Sequence, residues 1–224
     1  MPVPLQNRVA PTGALEAVEA RGLMMGNRGG QFHRPEGRLG LRRWASRAWI
    51  ACRLEWKGRH EDIWADRHYT QLFFLDEATA LAAGHRPCAL CRRADFNRFA
   101  ALWGAVEGQN EAPRVATMDD VLHRQRWASR GRSSEAPVAA SSLPDGSMLL
   151  VGEVPHLVMN DRIWRWTFEG YCSEHLPAAE IEGTPITPPA IRRVLAAGYR
   201  PMLHPSTGPR AGSGEVGIGS LTPR

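Results

Sequence analysis

Apolar and polar residues alternate, or recur at helical spacing, in short stretches of this chain, which predicts short strands and helices. Residues 48–56 alternate, and residues 69–75 (Tyr-Thr-Gln-Leu-Phe-Phe-Leu) are rich in β-branched and aromatic side chains, so each stretch predicts a strand. A short helix is expected over residues 77–83, because Asp76 can cap its first turn and Gly84 can end it in a left-handed conformation.

Longer stretches predict two further helices. Residues 92–103 carry apolar side chains at helical spacing, which should face a core: Phe96, Phe99, Ala100 and Trp103. Residues 118–127 predict another helix, with Thr117 near its start as the cap. Residues 22–30 are instead typical of a glycine-rich turn. That turn could cradle a phosphate, but it lacks the lysine and the Ser/Thr of a P-loop.

The second half of the chain predicts a small antiparallel meander followed by a helix. The turn sequences Pro144-Asp145-Gly146 and Asn160-Asp161 separate apolar stretches. Three short strands are expected around these turns, at residues 147–151, 156–159 and 162–168. A proline at its start favours a helix over residues 188–197.

Together these elements indicate an α+β fold in five parts. We expect an N-terminal extension packed on the core, a module of strands and helices, a Ser/Ala/Pro-rich linker, the β meander with its helix, and a disordered tail. In that order, the parts span residues 1–47, 48–130, 131–146, 147–204 and 205–224.

Composition favours a cytoplasmic protein. Hydrophobic residues make up 43% and charged residues 23% of the 224 positions, as in ordinary globular domains. No apolar run approaches the roughly 20 residues that span a membrane, and residues 1–20 contain no apolar block typical of a secretion signal. In a reducing compartment, the four cysteines indicate a metal site or free thiols rather than disulfides.

The positive charge of the chain is carried almost entirely by arginine. The net charge is +5, and Lys57 is the only lysine among 28 basic residues. A GC-rich genome would explain this bias through its codons. The guanidinium group nevertheless offers a planar fork that binds phosphate through two hydrogen bonds and stacks on bases.

Cys88 and Cys91 form a C-x-x-C motif, in which two thiols can bind one metal ion. Pro87 rigidifies the turn before them, and Cys91 opens the helix expected at residues 92–103. The positive end of a helix dipole favours thiolate. The motif therefore predicts structural zinc; a pair of reduced cysteines at a helix start is the alternative.

The sequence around this motif resembles the zinc-binding domain of the Ada family of DNA alkylation-repair proteins and related modules appended to nucleases. That family has a strand, a helix that ends in Ala-Ala-Gly, an aromatic residue, and then Arg-Pro-Cys-x-x-Cys. The matching residues are Phe73, Phe74, Glu77, Ala78, Ala82, Ala83, Gly84, Arg86, Pro87, Cys88 and Cys91, with His85 at the aromatic place. The resemblance is local and covers residues 48–100.

The resemblance implies a bound Zn²⁺ with Cys52, Cys88 and Cys91 among its ligands. The family has an earlier pair of cysteines; Cys52 fits the first, but Trp56 occupies the place of the second. A structural zinc site needs a fourth ligand. Some family members begin the site with a histidine in a His-Arg-Pro context, which makes His33 a candidate. The other candidates are His60, Cys172 and His175.

Arginines and tryptophans alternate before the metal motif, as suits a surface that neutralises phosphates and stacks on bases. The arginines are Arg42, Arg43, Arg47 and Arg53, of which the first three are expected to meet phosphate, and the tryptophans are Trp44, Trp49 and Trp56. The resemblance implies DNA contacts near the metal, which adds Arg86, Arg92 and Arg93. A solvated arginine face with its tryptophans packed inward would have the same pattern.

We therefore expect a zinc-containing, DNA-binding protein linked to DNA repair or its regulation. One alternative is a metal-dependent enzyme that uses an open zinc position or an activated cysteine. Another is a scaffold that binds an acidic protein partner. The chain contains no H-E-x-x-H or G-x-S-x-G motif, so the sequence names no further catalytic residues, and it leaves the oligomeric state open.

Overall fold

A computed structural model describes residues 4–33, 39–55, 69–129 and 135–208. In this part of the chain, two six-stranded sheets and a group of helices surround one short helix. The helices are α1 (Glu77–Ala82), α2 (Arg93–Val106), α3 (Val115–Ser129) and α4 (Pro189–Ala196). None of the helices described is both long enough and apolar enough to cross a membrane.

The first sheet is built from the N-terminal half of the chain. Its strands are β1 (Arg8–Val9), β2 (Leu15–Glu16), β3 (Met24–Asn27), β4 (Ile50–Arg53), β5 (Leu72–Phe74) and β6 (Arg86–Pro87). They lie in the order β2-β1-β5-β3-β4-β6. The β1–β5 and β4–β6 pairs are parallel, and the other pairs are antiparallel.

The second sheet is antiparallel and belongs to the C-terminal half. Its strands are β7 (Val138–Ala139), β8 (Met148–Val151), β9 (Val154–Met159), β10 (Arg162–Thr167), β11 (Gly170–Pro177) and β12 (Glu182–Pro185). Their order is β11-β10-β9-β8-β12-β7. Asn160 and Asp161 both have positive φ, 52° and 57°, as the tight turn between β9 and β10 requires.

Helix α1 lies at the centre, and all six of its residues are buried. Its small side chains let other elements approach on different sides. Ala80 packs in the cluster of the first sheet, Ala78 and Ala82 pack against the second sheet, and Leu81 packs among the other three helices. The core is therefore continuous around α1, and each half of the chain contributes to it.

Asp76 joins the start of α1 to the second sheet and to the C-terminal segment. Its carboxylate accepts hydrogen bonds from the backbone N–H and hydroxyl of Thr79 (2.9 and 2.8 Å), from the Tyr171 hydroxyl (2.9 Å) and from the backbone N–H of His204 (3.0 Å). Burial raises the pKa of Asp76, and these hydrogen bonds act in the opposite direction. The expected helix cap thus also links distant parts of the chain.

Glu77 makes the second such connection. Both of its oxygens accept hydrogen bonds from the Arg92 guanidinium at 2.8 Å, and they also accept from the Tyr199 hydroxyl (2.6 Å) and the Met202 backbone N–H (2.9 Å). The side chains of Glu77 and Arg92 are 2% and 6% exposed, so this ion pair is shielded from water. It connects α1, the start of α2 and the segment after α4.

Much of the sequence pattern is confirmed. The fold is α+β, α1 begins after the Asp76 cap, and Gly84 has the expected left-handed conformation (φ +80°). The three strands of the meander and the C-terminal helix lie where they were expected. The expected cap at Thr117 is wrong, because α3 begins at Val115 and includes that residue.

The glycine-rich segment is not simply a turn. Residues 24–27 form β3, which pairs with β4 and β5, so a sheet crosses the boundary expected after residue 47. A Cβ atom at Gly26 would lie 2.1 Å from the Ile50 carbonyl oxygen, so glycine lets these strands approach.

In the expected linker, β7 joins the second sheet. Residues 131–134 of that linker and residues 209–224 of the expected tail lie outside the described residues.

Replacing Glu77 with Gln should lower the free energy of unfolding by about 3–5 kcal/mol, because the buried charge of Arg92 would keep only the more exposed carboxylate of Asp95. Glu107→Gln is the matched control. It breaks the surface pair with Arg193, whose partners are 38% and 47% exposed, and should change stability by less than about 1 kcal/mol. Urea unfolding of both variants measures the difference. Equal effects would contradict this role of the buried pair.

Candidate metal centre

The pairing of β4 with β6 brings the separated cysteines together. Cys52 lies on β4, and Cys88 follows directly after β6. In the parallel register, Ala51 pairs with Pro87, and the Cys88 backbone N–H donates to the Ala51 carbonyl (2.9 Å). Gly84 makes this path possible, because its left-handed conformation turns the chain from α1 into β6.

The sulfur atoms of Cys52, Cys88 and Cys91 all lie within 4.8 Å of one another. Cys88 is buried, the other two are half-buried, and all three are free thiols. A tetrahedral zinc ion with Zn–S bonds of about 2.3 Å holds its sulfurs about 3.8 Å apart, so small side-chain adjustments would complete such a site. The expected convergence of these sulfurs is confirmed, and the bound zinc remains a prediction.

The backbone around Cys88 and Cys91 favours thiolate. The Leu90 N–H donates to the Cys88 sulfur (3.4 Å), the backbone of Cys91 acts to lower the pKa of Cys88, and the backbone of Arg53 acts to lower the pKa of Cys91. Backbone N–H groups that point at sulfur stabilise its charged form.

Without a cation, ionisation of one thiol in this group opposes ionisation of the others. Hydrogen bonds from the Cys52 and Cys91 thiols lower the pKa of Cys88, whereas the bond to Cys88 raises the pKa of Cys52. Three thiolates this close would repel one another. A divalent cation removes this conflict, because it binds all three in their deprotonated form.

The structure does not bring His33 or Cys172 into this group. His33 Nε2 lies 3.2 Å from the carbonyl oxygen of Gln6, and the Cys172 sulfur accepts a hydrogen bond from Arg165 Nη2 (3.4 Å). Two other candidates for the fourth ligand, His60 and the side chain of His175, lie outside the described residues. The fourth coordination position is therefore not assigned to a residue.

Two of the arginines expected to bind DNA are buried in ion pairs, which corrects that expectation. Arg86 is 4% exposed and binds both oxygens of Asp119, at 2.7 and 2.9 Å. Arg92 is 6% exposed and binds Glu77 and Asp95. These guanidinium groups are neutralised inside the protein, so they do not offer a charge to phosphate.

The other four expected arginines are exposed. They are Arg42, Arg43, Arg47 and Arg93. Arg47 pairs with the exposed Asp120 at 2.7 Å, and Arg43 donates to the carbonyl oxygens of Gly40 and Arg42. Trp44, between them, is half-buried and lies edge-on to His123 with 4.8 Å between ring centroids.

Sequence reasoning missed two buried arginines near this surface. The guanidinium carbons of Arg28 and Arg126 lie 3.9 and 4.2 Å from the centre of the Trp49 ring. Arg28 follows β3 directly in the glycine-rich segment, which the sequence predicts as a turn, so no local signal indicated its burial. Nothing local in the sequence indicates that Arg126, far along the chain, meets the same tryptophan.

Comparisons with known proteins do not add to this geometry, since no family model, curated protein or solved structure matches the chain. The resemblance to Ada-like zinc modules therefore stays a prediction that rests on the residues around the cysteines.

Each of the substitutions Cys52→Ser, Cys88→Ser and Cys91→Ser should weaken zinc binding by more than about 100-fold. Removing a residue that only hydrogen-bonds to a metal ligand already lowers metal affinity about 10–100-fold, and removing a ligand should cost more. Competition with a chromophoric chelator measures the affinity. Cys172→Ser is the control and should bind zinc like the wild type. Affinity should also fall as the pH is lowered, because protons compete for thiolate. Unchanged affinity in Cys52→Ser would exclude the three-sulfur site.

Proposed function

We propose that this protein contains zinc and binds nucleic acid, with DNA as the first candidate. The observation that carries the zinc proposal is the approach of three free thiols from separate segments of the chain to within 4.8 Å. Thiolates in this number select soft or borderline cations, of which zinc is the commonest in structural sites.

The proposed zinc has a structural role. It would tie β4 to the turn that precedes α2, close to the buried pair of Glu77 and Arg92. Because this turn follows α1 through β6, the metal would also fix the C-terminal end of the central helix. Binding free energy of this kind becomes folding free energy, so a chelator should destabilise the protein.

The exposed arginines support nucleic-acid binding. Arg42 and Arg43 present guanidinium forks beside Trp44, which could stack on an unpaired base. Among the described residues, the Arg47 guanidinium pairs with Asp120 alone, and exposed pairs of this kind are weak, so a phosphate could compete for it. A link to DNA repair or its regulation follows from the Ada resemblance alone and belongs to the same proposal.

A metal-dependent enzyme is the second candidate. A cation held by three sulfurs can take water or substrate as a fourth ligand, and the half-exposed Cys52 and Cys91 leave the group accessible from solvent. The cobalt-substituted protein separates the two candidates: a spectrum that changes when a small anion is added favours the enzyme, and one that does not favours a closed structural site.

The triple variant Arg42→Gln, Arg43→Gln, Arg47→Gln should bind DNA more weakly and with less dependence on salt. Each phosphate contact contributes about 0.7–0.9 to the slope of log affinity against log salt, so the slope should fall by about 2–3. Fluorescence anisotropy with single-stranded and duplex oligonucleotides measures both quantities.

The matched control for this experiment removes the same charge elsewhere, through Arg98→Gln, Arg162→Gln and Arg165→Gln, all at exposed positions. In this control, the slope of log affinity against log salt should fall less than in the first triple variant. If the wild type binds neither form of DNA at low salt, nucleic-acid binding is excluded, and an acidic protein partner becomes the better explanation of the arginines.

A further inference from the structure

A cavity of about 920 Å³ lies between the loop of residues 41–45, which carries Arg42 and Arg43, and the second sheet. Exposed Arg42 and Arg43 line it with Trp44, and the buried Arg28, Trp49 and Arg126 also form part of its wall. Ligand sites for nucleotide-sized molecules are about 300–1,000 Å³, so this cavity has the right size for one.

The charge of the cavity wall is strongly positive. Four arginines line the cavity, and none of the described lining residues is an Asp or a Glu. Clefts lined by charges of one sign with low-dielectric walls concentrate the electric field and attract ions of the opposite sign. The lining also includes apolar residues such as Leu15, Leu150 and Ile186, which could cover the uncharged part of a ligand.

Arg28 is the most deeply buried arginine of the cavity wall: it is 1% exposed and has no carboxylate partner among the described residues. Its Nη2 donates to the Gly13 carbonyl (3.0 Å), its Nε donates to His85 Nε2 (3.3 Å), and Nη1 makes no hydrogen bond with the described residues. Buried charges in proteins are normally paired with an opposite charge. At Arg28 no such pairing exists among the described residues.

The surroundings of Arg28 act against its charge. Burial, then the nearby charges of Arg126 and Arg43, lower its pKa to about 9. Burial also lowers the pKa of Arg126 to about 9, while Asp119 acts in the opposite direction. A bound anion would reverse this imbalance, since opposite charges favour the ionised form.

We propose that this cavity binds a phosphate monoester that carries an aromatic ring, such as a nucleoside monophosphate or the phosphorylated end of a nucleic-acid strand. The phosphate pairs with the arginines of the cavity, and the ring packs against Trp44. A monoester carries about −1.5 to −2 charges at neutral pH, which suits several guanidinium groups better than a carboxylate does.

A phosphate in the middle of a duplex does not suit this site. Because Arg28 is almost completely buried, its charge acts on a group that enters the cavity and not on a backbone that passes over the surface. The proposal thus goes beyond the surface binding of DNA by exposed arginines, and it does not depend on the metal.

Isothermal titration of the full-length, metal-loaded protein with adenosine monophosphate tests the proposal directly. The wild type should bind it at least tenfold more tightly than adenosine, and Arg28→Gln should lose at least tenfold in affinity. Arg98→Gln, which removes an exposed arginine from α2, is the control and should bind like the wild type. If Arg28→Gln fails to fold, Arg43→Gln at the cavity mouth should show the same loss.

A 5′-phosphorylated oligonucleotide and its unphosphorylated counterpart distinguish the two sources of the phosphate. A preference for the phosphorylated strand that disappears in Arg28→Gln, with weak binding of the mononucleotide, identifies the strand end as the ligand. Equal affinity for adenosine and adenosine monophosphate, equal losses in Arg28→Gln and Arg98→Gln, or no binding of any phosphorylated probe would overturn the proposal. Retained affinity of Arg28→Gln for unphosphorylated DNA shows that surface binding is separate.

Discussion

The complete burial of α1 is the constraint on which the rest of this structure depends. A helix of six residues is too short to be stable alone, so it forms only because both sheets and the other helices pack around it. Its two ends then organise the molecule. Asp76 and Glu77 hold the C-terminal segment at one end, and Gly84 directs the chain into β6 at the other. The cysteines meet because the chain runs from Gly84 into β6, which pairs with the strand that carries Cys52.

Some buried charged groups have a partner of opposite charge and others do not, and this difference separates structural from functional positions. The buried guanidinium groups of Arg86 and Arg92 are each matched by a carboxylate, so they stabilise the arrangement of the helices and sheets. Among the described residues, Arg28 is buried without such a partner, and three thiolates at the cysteine cluster would repel one another without a cation. These two places favour ligands of opposite sign: an anion in the cavity and a metal cation at the thiols.

Local signals in the sequence were sufficient for the parts that local physics determines. The cap at Asp76 and the helix end at Gly84 could be predicted, and the family pattern added Cys52 to the C-x-x-C pair. The strand within the glycine-rich segment could not be predicted, because its glycine, Gly26, is explained only by the close approach of β4. The buried ion pair of Arg86 could not be predicted either, since its partner, Asp119, lies 33 positions away in the chain.

X-ray absorption spectroscopy of the zinc-loaded, full-length protein tests the central claim most directly, because it counts the sulfur atoms around the metal and measures their distance. Three sulfurs from separate segments of the fold should give a first shell dominated by sulfur at about 2.3 Å, with a lighter atom completing the coordination. A first shell of nitrogen and oxygen with two sulfurs or fewer would contradict the account, and so would a protein that retains no zinc at all.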